Sequence, residues 1–151
     1  MKKTINIFLF VTLISMTYSC SQKRLATTPP HQGGSEMLYQ YKWNFIELNS
    51  QPVSTGRDTS YLLFYPGQIN RVSGSTGCNR LTGTFELSDL DKLKFSPLIT
   101  TRMACPGYDE STLLKALEQV NNWSIINNQL LLSNGRTLVA KLQGVPVTIP
   151  K

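Results

Sequence analysis

From residue 42 onward, apolar and polar positions repeatedly alternate with the two-residue period of half-buried strands. In residues 42–48, Trp43 and Phe45 fall on one face, and Asn49-Ser50-Gln51-Pro52 supplies the turn chemistry that closes such a strand. Residues 61–65 form a short, nearly all-apolar run that stops at Pro66-Gly67, as a buried strand does. Residues 68–73 are expected to pair with it as a hairpin through that dipeptide. Residues 82–87 place Phe85 and Leu87 inward with Thr84 and Glu86 outward, and residues 92–95 alternate in the same way. The end of the domain reads as a further hairpin, residues 129–133 and 136–142 around Asn134-Gly135, a strong two-residue turn signal. There Leu138, Ala140 and Leu142 share one face, opposite Thr137, Val139 and Lys141.

The period changes once. Leu113, Leu114, Ala116, Leu117 and Val120 mark one face of a helix, with Asp109 as N-cap, Tyr108 stapling against Leu113, and Asn121-Asn122 as the stop. Short strands with regular turns and a single helix predict a mainly β fold, a small antiparallel barrel-like or sandwich domain over residues 38–145. Residues 146–151 follow as a tail.

The N-terminus has a different pattern. Lys2 and Lys3 precede an apolar stretch over residues 5–14, too short for the roughly 20 residues of a spanning helix. Residues 1–19 are therefore expected to be a signal peptide. Met16-Thr17-Tyr18-Ser19-Cys20 resembles a lipobox, which predicts lipid attachment at Cys20 and a membrane anchor. The alternative is an ordinary secretory signal cut near Ser19, leaving Cys20 a free thiol. Ser21 resembles the residue that permits sorting to the outer membrane, so the expected location is that membrane's periplasmic side. Residues 20–37, with Pro29-Pro30 and Gly33-Gly34, lack apolar periodicity and read as a flexible tether.

Composition narrows the functions. With 40% hydrophobic and 16% charged residues, the chain can build a core. The formal net charge of +6 becomes +4 without Lys2 and Lys3, and the remaining basic residues stand singly, so nucleic acid is not an expected partner. A monomer is expected. The one histidine, His31, lies in the tether. No Gly-x-Ser-x-Gly, His-Glu-x-x-His or phosphate-cradling glycine loop occurs, so no enzyme, metal or cofactor is expected.

Cys78 and Cys105 form an even pair in a secreted domain, which reads first as a disulfide. It would close a loop of about 27 residues and contribute roughly 3–4 kcal/mol. Two reduced, buried thiols are the alternative reading.

Gly77-Cys78-Asn79 with Gly83, and Thr101-Arg102-Met103-Ala104-Cys105, together with the following helix, resemble the META domain family. The resemblance runs from about residue 40 to residue 143 and extends to the family's lipoprotein branch. It implies a small barrel-like fold with one helix and an envelope role in heat or antibiotic tolerance, without catalytic residues. Gly77 and Gly83 are expected at turns or bulges needing unusual backbone angles, and Asn79 is expected to hold the local turn. Arg102 is expected to be buried and paired with Glu86, Asp109 or Glu110, or else to bind an anionic partner. The functional expectation is thus a non-enzymatic binding or structural module. The alternative is a small-ligand carrier using a barrel interior, although Trp43, Phe64, Phe85 and Phe95 are large enough to fill it.

Overall fold

The structure, a computed structural model, describes residues 34–53 and 58–147. The signal peptide, Cys20, His31 and the end of the C-terminal tail lie outside the described residues.

The chain runs through α1 (Ser35–Gln40), β1 (Tyr41–Leu48), β2 (Gln51–Pro52), β3 (Tyr61–Tyr65), β4 (Arg71–Ser75) and β5 (Arg80–Ser88). It continues through β6 (Lys92–Phe95), β7 (Ile99–Thr100), α2 (Ser111–Glu118), β8 (Asn122–Ile126), β9 (Gln129–Asn134) and β10 (Thr137–Pro146). All strand pairings are antiparallel. In order β10-β9-β8-β6-β5-β4-β3-β1-β2, with β7 beside β5, they form one sheet. Because β10 also pairs with β1, from Tyr41↔Pro146 to Leu48↔Ala140, the sheet curls into a ring. This is the expected mainly β, barrel-like architecture.

Alternation does what it predicts on β1, β5 and β6, and the apolar runs of β3 and β9 alternate in burial as well. Trp43 and Phe45, Leu62 and Phe64, Leu81 and Phe85, Leu93 and Phe95, and Leu130 and Leu132 are buried inside the ring. Phe64 meets Phe85 edge-on at 5.1 Å between centroids and lies 6.2 Å from Phe95, so aromatic rings fill its middle. Leu113, Ala116 and Leu117 of α2 close over the core, followed by Val120 just past the helix end.

Several expectations shift. The expected tether runs to residue 37, yet α1 begins at Ser35, and Leu38 is fully buried. One apolar residue after Gly33-Gly34 carries no period, so the helical turn leaves no trace in the pattern. It is fastened by the indole of Trp43, whose Nε1–H donates to the Leu38 carbonyl at 2.9 Å. A second helix therefore joins the single one expected. The Pro66-Gly67 hairpin has a longer connection, since β4 starts at Arg71 rather than residue 68. Asn121-Asn122 does not stop α2, which ends at Glu118; Asn122 instead opens β8, a strand absent from the sequence reading. In the last hairpin the turn is Gly135-Arg136, because Asn134 pairs with Thr137. Val139, expected outward, is buried: Leu138 pairs with Ser133 and Ala140 with Leu132, so Val139 is the extra residue of a bulge.

Trp43→Phe tests the fastening of α1. Losing the indole donor leaves the buried Leu38 carbonyl unpaired and should cost about 1–3 kcal/mol in a denaturant melt. Hydrogen exchange should show the α1 amides losing protection before those of β1.

Candidate functional site

The two sequence blocks that carry the family resemblance meet at one end of the sheet. The first is the turn between β4 and β5. Thr76, fully buried, shapes it: its Oγ1 accepts the Asn79 N–H at 2.9 Å, and its own N–H donates to the Asn79 carbonyl at 2.9 Å. Gly77 sits at φ +101°. A Cβ there would also stand 2.8 Å from both Ser60 Oγ and Tyr108 Oη, so backbone angle and space both require glycine. Gly83 differs from the expectation. It lies in mid-strand opposite Val72 with no positive φ, and is small because a Cβ would come within 2.7 Å of Leu98 Cδ2.

The second block, residues 101–105, is irregular chain that depends on the first for its shape. Cys78 and Cys105 are joined by a disulfide with a Cα separation of 6.1 Å, inside the range that bridging requires. Asn79, 3% exposed, does more than hold its own turn. Its Oδ1 accepts the Met103 N–H at 2.7 Å and the Thr101 hydroxyl at 2.8 Å. Its Nδ2 donates to Glu110 Oε1 at 3.0 Å and, more weakly, to the Met103 carbonyl at 3.4 Å. One amide thus joins the β4–β5 turn, the irregular block and the approach to α2. Glu110 completes the clamp by accepting the Thr76 hydroxyl on its other oxygen. Tyr108, assigned as a staple for Leu113, instead donates its hydroxyl to the Thr76 carbonyl, which Ser60 Oγ also reaches at 2.7 Å.

Arg102 departs from the expectation of burial. Its side chain is exposed, and among the described residues it pairs with none of Glu86, Asp109 or Glu110. Glu110 is instead taken up by the neutral donors Thr76 and Asn79, and Glu86 lies on the outer face of β5. Asp109 accepts the Ser111 N–H at 2.9 Å and the Ser111 hydroxyl at 3.0 Å. These bonds, the hydroxyl's first, and the charge of Lys115 hold its carboxyl below the usual range. Asp109 therefore supports the start of α2 from one residue before the Glu110 cap position. Met103 is 51% exposed and serves the fold through its backbone, whose N–H and carbonyl both meet Asn79, while Ala104 is exposed. Sequence motifs do not point to Thr76, Glu110, Ser60 or Tyr108 as site residues; the fold brings them there. Thr76 had a local signal in Ser75-Thr76-Gly77, the composition of a hydroxyl-capped turn.

Outside the clamp runs an open groove. One stretch of about 620 Å³ is lined by Lys42, Asp58, Tyr61, Ser75, Arg80 and Thr101 among others. A neighbouring stretch of about 590 Å³ shares Tyr61, Arg80 and Thr101 and continues past Ser73 and Thr82.

The clamp and Arg102 should separate in a melt. Asn79→Ala leaves the Met103 N–H, the Thr101 hydroxyl and Glu110 short of partners, and should cost about 2–4 kcal/mol. Arg102→Met should change stability by no more than about 0.5 kcal/mol, as for other exposed residues. Thiol labelling of the denatured, unreduced chain should find Cys78 and Cys105 blocked; two labelled thiols would contradict the bridge.

Comparison with known proteins agrees with this architecture. The chain superimposes on the NMR structure of a protein from Burkholderia xenovorans with a TM-score of 0.59 at 21% identity, covering 82% of this chain and 96% of the other. A second NMR structure gives a TM-score of 0.55 at 23% identity, covering 73% and 94%. These likenesses concern the fold. No curated protein matches the chain. The META domain family model matches residues 36–144, a span that holds the ring, α2 and both halves of the clamp. The chain belongs to the META domain family.

Proposed function

We propose that this chain is an HslJ-like envelope lipoprotein whose META domain is a non-enzymatic binding or structural module in heat or antibiotic tolerance. The signal peptide over residues 1–19 is removed, Cys20 carries the lipid, and the following tether displays the domain on the periplasmic side of the outer membrane. The support for export is the charged, apolar and small-residue order of the N-terminus ending at Cys20, with a Cys78–Cys105 disulfide suited to an oxidising compartment.

The observation that carries the module reading is the clamp. A disulfide and one buried amide hold an irregular segment rigidly against the sheet and leave Arg102 and Met103 on the surface. Such stiffening is suited to recognition, because a segment already fixed loses little entropy on binding. The carrier alternative would need interior volume that Trp43, Phe64, Phe85 and Phe95 occupy.

Cys20→Ala should move the chain from the membrane fraction to the soluble or unprocessed fraction. The mature wild-type protein should carry the mass of its acyl chains. Unchanged partition with no acyl mass would overturn the lipoprotein reading. Cells expressing Arg102→Met should lose heat or antibiotic tolerance on plating while the domain keeps its melting temperature.

A further inference from the structure

We propose that the groove beside the clamp binds an anionic group, a phosphate or carboxylate, carried on a hydroxyl-bearing ligand. The inference deepens the binding-module reading and rests on it, but not on lipidation.

The groove floor is a row of side chains set by strand register. Tyr61 pairs with Ser75, and Ser75 with Arg80. Arg80 is tied to Thr101 twice: its N–H donates to Thr101 Oγ1 at 3.1 Å, and the Thr101 N–H donates to its carbonyl at 3.1 Å. Three strands and the clamped segment thus contribute one residue each to a line across the outer face. Lys42 joins from β1, its Nζ 4.0 Å from the centre of the Tyr61 ring, a cation–π contact that holds the ammonium at the groove.

The charges in this row are unspent. Ion pairs among the described residues are Lys92–Asp91 and Lys141–Glu47, so neither Lys42 nor Arg80 has a carboxylate within 4.0 Å. Two cations beside the hydroxyls of Ser75 and Tyr61 attract an oxyanion, and the guanidinium can grip it with paired N–H donors. Asp58 also lines the groove and is the acidic member of that lining. It keeps the site's net charge low and offers an acceptor, which favours a ligand with hydroxyl donors beside its anionic group. Two cations are far too few to track a nucleic-acid backbone.

The test titrates inorganic phosphate into the full chain, held in a non-ionic detergent at low salt and followed by amide NMR. Saturable shifts are expected at Ser75, Arg80 and Thr101. Apparent Kd should weaken at least about tenfold in Arg80→Met and in Lys42→Met, the scale of a lost charge-assisted bond. Lys92→Met, which removes a cation elsewhere, should match the wild type. Absent shifts, or shifts that persist unchanged in both groove variants, overturn the proposal. Phosphatidylglycerol added to the micelles separates two sources of the same chemistry. Displacement of phosphate assigns the groove to a lipid headgroup, and indifference assigns it to a soluble anion. Failure here while Arg102→Met still loses tolerance with its fold intact would sink the groove alone, whereas saturable phosphate binding with full tolerance in Arg102→Met would sink the role given to the clamped segment alone.

Discussion

The first and last strands of this domain have to find each other, and most of the structure depends on that contact. Seven register positions join β1 to β10, and Lys141 reaches Glu47 across the pair at 2.7 Å. Without this closure the two strands would present unpaired backbone along their length, and the aromatic side chains inside would face water. With it, Trp43 stands in a sealed interior and fixes α1 through its indole, and α2 has a finished surface to cover. The contact joins residues about a hundred positions apart, so ordering the intervening chain must precede its gain.

The clamp then solves a problem that closure leaves. Residues 101–110 contain no regular element, so their backbone groups need partners from elsewhere. Asn79 offers a donor and an acceptor from one planar group, enough to pair with both the N–H and the carbonyl of Met103. The disulfide adds a covalent tie next door. The two ties differ in kind: the first sets the path of the backbone, and the second limits how far the ends can separate.

Much of this was legible in the residues. Period-two alternation located the inward faces of β1, β5 and β6, an apolar run and a turn signal located β3 and β9 without their faces, and the spacing of Leu113 and Leu117 located α2. Local chemistry failed where a distant partner decided the outcome. Val139 belongs to the outward set by counting, but a bulge set by β9 turns it in. Asn121-Asn122 has the look of a stop, yet the Asn121 side chain bonds Asn134 at 2.9 Å and Asn122 enters the sheet. Charge suggests charge, so in the sequence Glu110 reads as a counter-ion for Arg102. A carboxylate held by a threonine hydroxyl and an asparagine amide is visible only once the chain has folded them together. For the same reason the motif pointed to the right pair of blocks while misplacing the work of Arg102.

The ring is not equally firm all round. Between β6 and β8 the ladder has a single register position, Lys92↔Asn122, helped by Asp91, whose carbonyl accepts the Trp123 N–H and whose carboxylate accepts the Asn122 amide. With a single ladder position, this seam is where the ring would open at least cost. The row from Tyr61 to Arg80 lies on β3, β4 and β5, which are joined by full ladders of five positions each. Opening at the seam leaves the ladders beneath that row intact, so the spacing of Tyr61, Ser75 and Arg80 does not depend on it.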